Sequence, residues 1–247
     1  MDYRKQCYES FISKHWDFSH SLSQQQFEHL WKIYKKRFSN ILPIDKSAKI
    51  IDIACGAGYF LYYLQKEGYI NACGIDFSQE QLEIAQKMGV KNIQKADIFK
   101  YLPNNKETYD MIVANDIIEH LTKDEIMEFL DLIHKALKPS GEVLISTVNA
   151  QSLLGASTVF VDFTHETGFT PVSLSQVMRV CKFEDVVVYG ERPIPYDLRS
   201  TVRSILWWVV DKLLKMYVSV ERGTGRGMWK CENIFEPRIY AIGRKKI

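Results

Sequence analysis

The sequence predicts an α/β fold: a doubly wound, mostly parallel sheet with helices on both faces. Two observations carry this. From residue 49 onward, apolar strand-like runs alternate with helical stretches, in the order KIIDIA, YFLYYLQKEG, INACGID, SQEQLEIAQKMG, NIQKAD, YDMIVAND, KDEIMEFLDLIHKALK and EVLIST. Strands separated by helices run parallel, and the helices cover both sides of the sheet. The first run also holds Asp52, followed four and six residues later by Gly56 and Gly58. In such a sheet, ligands sit at the carboxyl ends of the strands, where glycines let the backbone turn tightly and approach closely.

Each element has a local reason. Residues 1–45 form an N-terminal helical cover, because FEHLWKIYKKRF sets Phe27, Leu30, Trp31 and Tyr34 at helical spacing and Pro43 closes the region. The core follows over residues 46–190. Ser78 with Gln81 and Thr122 with Glu125 have the spacing of capping boxes at two helix starts. Pro139-Ser140-Gly141 turns the chain into the next strand. Residues 148–171 read as a long loop, SLSQVMRVCKF as a helix and EDVVVYG as a strand; residues 191–233 are a helical insertion, and residues 234–247 hold the last strand. The 247 residues, 46% hydrophobic and 25% charged, suit one domain with a full core.

Composition excludes several classes. The five cysteines are odd in number and never fall in a C-x-x-C spacing, against both a disulfide framework and a structural zinc site. No run of about 18 apolar residues appears, and the first residues lack a secretory pattern, so a cytoplasmic location is expected. Residues 191–247 carry 12 Lys plus Arg against 6 Asp plus Glu, or +6, which leaves −4 for residues 1–190 in a chain of net charge +2. That asymmetry suggests an anionic partner for the C-terminal part, or a solvated basic face. Nucleic acid is disfavoured, since no basic stripe interleaved with aromatics appears outside that part.

Spacing separates two ligand classes at the glycine turn. A dinucleotide fingerprint needs a third glycine, and that position is Leu61. A carboxylate four residues before the first glycine repels phosphate and attracts an ammonium or sulfonium group. This points to S-adenosyl-L-methionine rather than a nicotinamide cofactor of an oxidoreductase.

Here the chain resembles the class I S-adenosylmethionine-dependent methyltransferases, whose first motif, D-x-x-x-G-x-G, is present from Asp52 to Gly58. The resemblance implies a Rossmann-like seven-stranded sheet. It assigns cofactor contacts to Asp52, Ala54, Gly56 and Gly58, to Asp76 on the ribose hydroxyls with Phe77 beside it, to Asp97 and Ile98 on the adenine, and to Asn115 near the methionine part. It is closer to a subset containing ubiquinone-biosynthesis O-methyltransferases and sugar-modifying methyltransferases, through NDIIEHL (115–121), STVN and Thr164-His165-Glu-Thr-Gly-Phe169-Thr-Pro171. Ala54 and Ala57 stand where glycine is common. The implied reaction is O-methylation of a small or carrier-linked acceptor, a sugar or glycan precursor first and a quinone or other lipophilic phenol second; N- and C-methylation, and a catalytically silent cofactor-binding protein, stay open.

A hydroxyl acceptor must lose a proton, and histidine suits that role. His165, on the loop leaving the fifth strand beside Asp162 and Glu166, is the first choice as base, with His120 the second catalytic candidate. Asp116, Glu119 and His120 also share one side of a helical turn, where carboxylates and imidazole bind a divalent cation or brace the turn. His165 would be a fourth ligand, and the sequence assigns no metal.

The insertion contains STVRSILWWVVDKLLKMYVSV, with Ile205, Leu206, Val209, Val210, Leu213 and Tyr217 on one helical side and Ser204, Trp208, Asp211 and Lys215 on the other. It is amphipathic and too polar to span a bilayer. Two readings stand: a helix packed on the domain or on a second subunit of a homodimer, and peripheral contact of residues 199–226 with the inner membrane surface through flanking arginines and lysines.

Overall fold

The computed structural model describes Tyr3, Cys7, residues 23–223 and residues 233–246. The strands are β1 (Ile50–Ile53), β2 (Cys73–Asp76), β3 (Ile93–Lys95), β4 (Tyr109–Asn115), β5 (Leu137–Val148), β6 (Phe183–Gly190) and β7 (Arg238–Lys245). They form one sheet in the order β3–β2–β1–β4–β5–β7–β6. Only β7 runs against its neighbours. The mostly parallel seven-stranded expectation is met, and the strand order reverses at β1, whose carboxyl end carries the glycine turn.

The helices are α1 (Gln24–Phe38), α2 (Tyr59–Lys66), α3 (Gln79–Lys87), α4 (Ile98–Tyr101), α5 (Lys123–Ala136), α6 (Gly155–Val159), α7 (Pro171–Val180) and α8 (Leu198–Arg222). Side chains alternate across β1, as strand geometry demands. Ile51 and Ile53 enter one apolar layer with Ile112, Phe129 and Leu174, while Ile50 enters the other with Phe60, Met111 and Val113. Burying each isoleucine contributes about 1.5–3 kcal/mol. Asp52 interrupts this run with a carboxylate that is itself buried.

Local signals account for most boundaries. Thr122 completes its capping box with Glu125, and Ser78 accepts from the Gln81 amide. In α1, Phe27 is buried and Tyr34 packs against Phe60 with ring centroids 5.3 Å apart. The expected helical cover over residues 1–22, with His15 and His20, lies outside the described residues apart from Tyr3 and Cys7.

Three expectations need correction. Pro139-Ser140-Gly141 is not a separate turn but a bulge inside β5: Leu137 pairs with Tyr109 and Glu142 with Met111, and Ser140 takes φ 62° to accommodate the extra residues. The stretch 148–171 is not structureless, for it holds α6 and a bridge between Asn149 and Phe169. The helix expected to reach Phe183 ends at Val180, because Lys182 at φ 69° redirects the chain into β6.

The insertion is helical, and its polar side faces the protein. Ser204, Trp207, Leu214 and Lys215 are half-buried and Asp211 is buried, whereas Ile205, Leu206, Val209, Leu213 and Tyr217 are exposed. Trp208, expected with the polar side, is exposed as well. Trp207 donates to Glu236 at 3.3 Å and Lys215 pairs with Asp211 at 2.7 Å. Among the described residues, no helix is long and apolar enough to cross a membrane.

Candidate active site

A cavity of about 630 Å³ opens at the carboxyl edge of the sheet, a volume typical of small-molecule sites. Asp52, Ala54, Gly56, Asp76, Phe77, Asp97, Ile98, Asn115, His120 and His165 all line it. Gly58 does not; it starts α2 at φ 79°, and a Cβ there would meet Ala85 at 3.1 Å and Val90 at 3.2 Å. That glycine sets the close fit of the turn on α3. Leu61, where a dinucleotide fingerprint has its third glycine, is fully buried.

The β1 turn is held in left-handed backbone. Ala54 has φ 55° and Gly56 φ 54°, and for an alanine this conformation costs about 1–2 kcal/mol. The Asp76 carboxylate fixes the turn from the next strand, accepting from the Gly56 amide at 2.8 Å and the Ser78 amide at 2.7 Å. Both bonds orient its oxygens, so its remaining lone pairs are set for a diol. Asp97 likewise caps α4, accepting from the Phe99 amide at 2.9 Å. Asn115 Oδ1 accepts from the Ser146 hydroxyl at 2.9 Å.

Asp52 is the anomaly. It is 2% exposed and its Oδ1 has no hydrogen-bond partner. Burial, and then the Asp76 charge, raise its pKa well above the usual carboxylate range. A buried acceptor without a partner costs about 1–3 kcal/mol, and a cationic or donor group placed in the cavity relieves that cost. The acids, the glycine turn and the cavity therefore fit S-adenosylmethionine. Burial pushes the Cys73 thiol up to about 11 and raises Cys55 too, so both are small core residues rather than nucleophiles.

The second cluster lies on the turns after β4 and β5. Among the described residues, ligand atoms of Glu119, His120 and His165 all lie within 4.8 Å of one another. Asp116, which the sequence grouped with Glu119 and His120, is drawn aside: at φ 52° it accepts from Arg238 at 2.5 and 2.6 Å. Asp162 and Glu166, expected to orient His165, do other work. His165 Nδ1 donates to the Val159 carbonyl at 2.6 Å, Asp162 holds Thr164, and Glu166 bonds Tyr3.

The hydrogen bonds decide both tautomers. Thr164 Oγ1 donates to Asp162 at 2.7 Å, so it accepts from His120 Nδ1 at 2.9 Å. A carbonyl can only accept, so His165 Nδ1 also carries its proton. In each ring Nε2 is then the basic nitrogen, the arrangement that prepares histidine as base or metal ligand. Burial, and next His165, push His120 down to about 4, leaving it neutral. Glu119 accepts from Thr147 Oγ1 at 2.9 Å, and burial followed by Asp116 pushes it up to about 8. The strap carrying His165 is pinned to this turn, since the Glu166 and Thr167 amides donate to the Glu119 carbonyl at 2.8 and 3.0 Å.

Sequence reasoning missed Arg238. It stands 122 positions from Asp116, starts the last strand and lines the cavity. Burial opposes its charge, but Asp116 and Glu191 outweigh it and keep the guanidinium cationic. Tyr34, read only as a core residue of the N-terminal helix, also lines the cavity.

With the geometry in place, comparison assigns the family. A family model described as a methyltransferase domain matches residues 23–188. The chain belongs to that methyltransferase family. The methyltransferase is 27% identical over 134 residues to the ubiquinone biosynthesis O-methyltransferase of Rickettsia bellii (strain OSU 85-389), a match covering 53% of this chain and 52% of that protein. It is 33% identical over 113 residues to the mitochondrial ubiquinone biosynthesis O-methyltransferase of Rattus norvegicus, covering 42% and 32%. It thus spans about half the length, or less, of these curated relatives. A SAM-dependent methyltransferase from Archaeoglobus fulgidus superposes with TM-score 0.64 at 23% identity, over 90% of this chain and 97% of that one. Phosphoethanolamine N-methyltransferase 2 of Haemonchus contortus, solved with S-adenosyl-L-methionine, gives TM-score 0.60 at 14% identity, over 97% and 60%. The fold is that of the class I S-adenosylmethionine-dependent methyltransferases.

Proposed function

We propose that this methyltransferase moves a methyl group from S-adenosylmethionine to a hydroxyl oxygen of a lipophilic acceptor, a phenol of the quinone-precursor kind or a lipid-linked hydroxyl compound. One observation carries the reading: the acids of the glycine turn and a pair of tautomer-fixed imidazoles line the same cavity. A sugar or glycan, the acceptor the sequence put first, requires polar partners for many hydroxyls. The cavity walls instead supply Ile117, Leu121, Val148 and Val161, and the curated relatives named above are ubiquinone-biosynthesis enzymes.

Bound S-adenosylmethionine supplies a methyl group on a positively charged sulfur that keeps the bonding electrons when an acceptor oxygen takes the methyl. The chain's residues hold the reactants and move one proton. Asp76 takes the ribose hydroxyls, Asp97 and Ile98 the adenine, and Asp52 the cationic end, with Ala54, Gly56, Phe77 and Asn115 shaping the walls. His165 Nε2, half-buried at the rim, receives the acceptor's hydroxyl proton. His120 is held too far below neutrality for an efficient base and instead braces His165, whose ring centroid is 4.6 Å away. Apolar walls exclude water from the transfer.

The experiment pairs turnover with binding. Labelled S-adenosylmethionine is offered with lipophilic phenols and with water-soluble nucleotide sugars; His165→Ala is expected to lower turnover at least about 100-fold, the usual scale of acid–base catalysis, and to leave cofactor affinity nearly unchanged. Equal loss of both would make His165 a structural residue, and transfer to sugars alone would overturn the acceptor class.

A second reading uses the same residues. Glu119, His120 and His165 offer one carboxylate and two basic imidazole nitrogens, a donor set that fits a divalent transition metal or zinc. A bound cation would lower the pKa of an acceptor hydroxyl.

A further inference from the structure

We propose that the outward strip of α8, together with the 153–163 loop, docks the protein on a membrane surface bearing anionic lipid, beside the mouth of the cavity. The surface is assembled from two separate pieces of chain.

The first piece is α8, about 37 Å long at 1.5 Å per residue. It turns Ser204, Asp211 and Lys215 inward and leaves Val202, Ile205, Val209, Leu213, Met216 and Val220 exposed. Their spacing of three and four residues keeps them on one stripe. A helix held on a domain normally buries its apolar side. Here the inward side carries a polar contact to the domain, Trp207 to Glu236, and an ion pair within the helix, Lys215 to Asp211, and the apolar side is left for another partner.

Charge selects the partner. At 100° per residue, exposed Arg199 and Arg203 fall on one flank of the stripe and exposed Lys212 on the other. Glu221 is the one exposed acid within α8 among the described residues. Two like-charged flanks would meet if a second copy paired along this stripe, whereas a bilayer with anionic headgroups accepts apolar stripe and cationic flanks together.

The second piece adds a reason for the position. Leu153, Leu154, Phe160, Val161 and Phe163 are exposed between β5 and α7, and the one carboxylate within residues 153–163, Asp162, is buried. Val161 lines the cavity. Because β5 and β6 both end at the carboxyl edge, the loop and the chain leading to α8 leave the sheet on that side. The start of the loop is also tied to the chain that returns from α8 into β7: Asn149 Nδ2 donates to the Ile234 and Glu236 carbonyls at 3.0 and 2.8 Å. A bilayer met by this edge would present a lipophilic molecule at the mouth. Only that last consequence rests on the proposed acceptor; docking itself does not.

The test uses the whole chain without cofactor or acceptor, so its result is independent of methyl transfer. Phosphatidylcholine vesicles with and without phosphatidylglycerol are sedimented with the protein. The wild type is expected to partition only onto the phosphatidylglycerol vesicles, less so at high salt. Arg199→Gln with Arg203→Gln should weaken partitioning about fivefold for each charge removed. Val209→Glu with Leu213→Glu should weaken it at least tenfold on an order-of-magnitude basis. Exposed positions keep these variants folded, which unchanged thermal melting and cofactor affinity would confirm. No partitioning by the wild type, or equal partitioning of all variants, overturns the proposal. So does a dimer broken by Val209→Glu without vesicle binding: the stripe would then belong to a second copy. If deleting residues 4–22 is needed before vesicles bind, the chain's own N-terminal part is the occupant and the proposal fails.

Discussion

Replacing Asp52 by asparagine should make the ligand-free protein more stable and the cofactor complex weaker. The carboxylate is buried, its Oδ1 is unpartnered and Asp76 stands near enough to raise its pKa further. Asparagine removes the charge and offers an N–H₂ toward Asp76. If relief recovers about 1–2 kcal/mol of the 1–3 typical for an unsatisfied buried group, melting should rise by about 2–8 °C at this chain length. The sign fixes the pH window. A carboxyl raised above its unfolded value contributes stability present below about pH 4 and lost as pH rises through its folded pKa. The variant's advantage should therefore appear at neutral pH and fade in acid. Cofactor binding moves oppositely, since a charge-assisted bond becomes a neutral one, a loss of about 1.4 kcal/mol or tenfold. Calorimetric titration of S-adenosylmethionine and melting of the apoprotein are the two readouts. An apoprotein that melts lower, with affinity unchanged, would refute the assignment of Asp52 to the ligand's cationic end.

The other predictions probe neighbouring claims. Asp76→Ala should weaken cofactor binding by about 2–4 kcal/mol, since it removes the diol acceptor and frees the Gly56 and Ser78 amides it holds; titration measures this. Ala54→Gly should relieve left-handed strain and raise the unfolding free energy measured in urea by up to about 1 kcal/mol, while Gly58→Ala, crowded by Ala85 and Val90, should lower it by more than about 1 kcal/mol. Glu119, raised from 4.5 to about 8, contributes stability fully present below its unfolded value and lost as pH climbs toward 8, so Glu119→Gln should flatten the fall of melting temperature between those two values and leave the slope above them unchanged. If Glu119, His120 and His165 hold a cation, a chelator should lower melting as well as activity, and His120→Ala should cancel both effects.

Much of this was legible because the signals are local. The unbroken run IIDI marks a strand covered on both faces, Thr122 with Glu125 caps α5, and four acidic or amide strand ends in order place the cofactor cavity. What was hidden depends on contacts between distant residues. Nothing near Arg238 announces that it will take Asp116 out of the Glu119–His120 group. Thr164 looks like part of a motif, yet its hydroxyl, passing a hydrogen bond from His120 to Asp162, sets a tautomer. The periodicity of α8 separates two sides but does not say which faces inward; that depends on distant contacts such as Trp207 with Glu236. Ser140 and Lys182 adopt positive φ without being glycine, so the bulge in β5 and the early end of α7 had no marker.

The pairing of β6 with β7 has an engineering consequence. These strands are antiparallel neighbours joined from Gly190 to Arg238, with Gly190 opposite Ile239 and the Glu191 amide bonded to the Arg238 carbonyl at 2.9 Å. Topologically the entire α8 segment is a hairpin connection, enlarged far beyond a turn. Because loop length enters closure entropy only logarithmically, a short two-residue link could replace it with the sheet's register intact. The segment is thus exchangeable in topological terms: swapped for one with different outward residues, it would alter what this face of the protein meets while leaving the sheet and the cavity at its carboxyl edge in place.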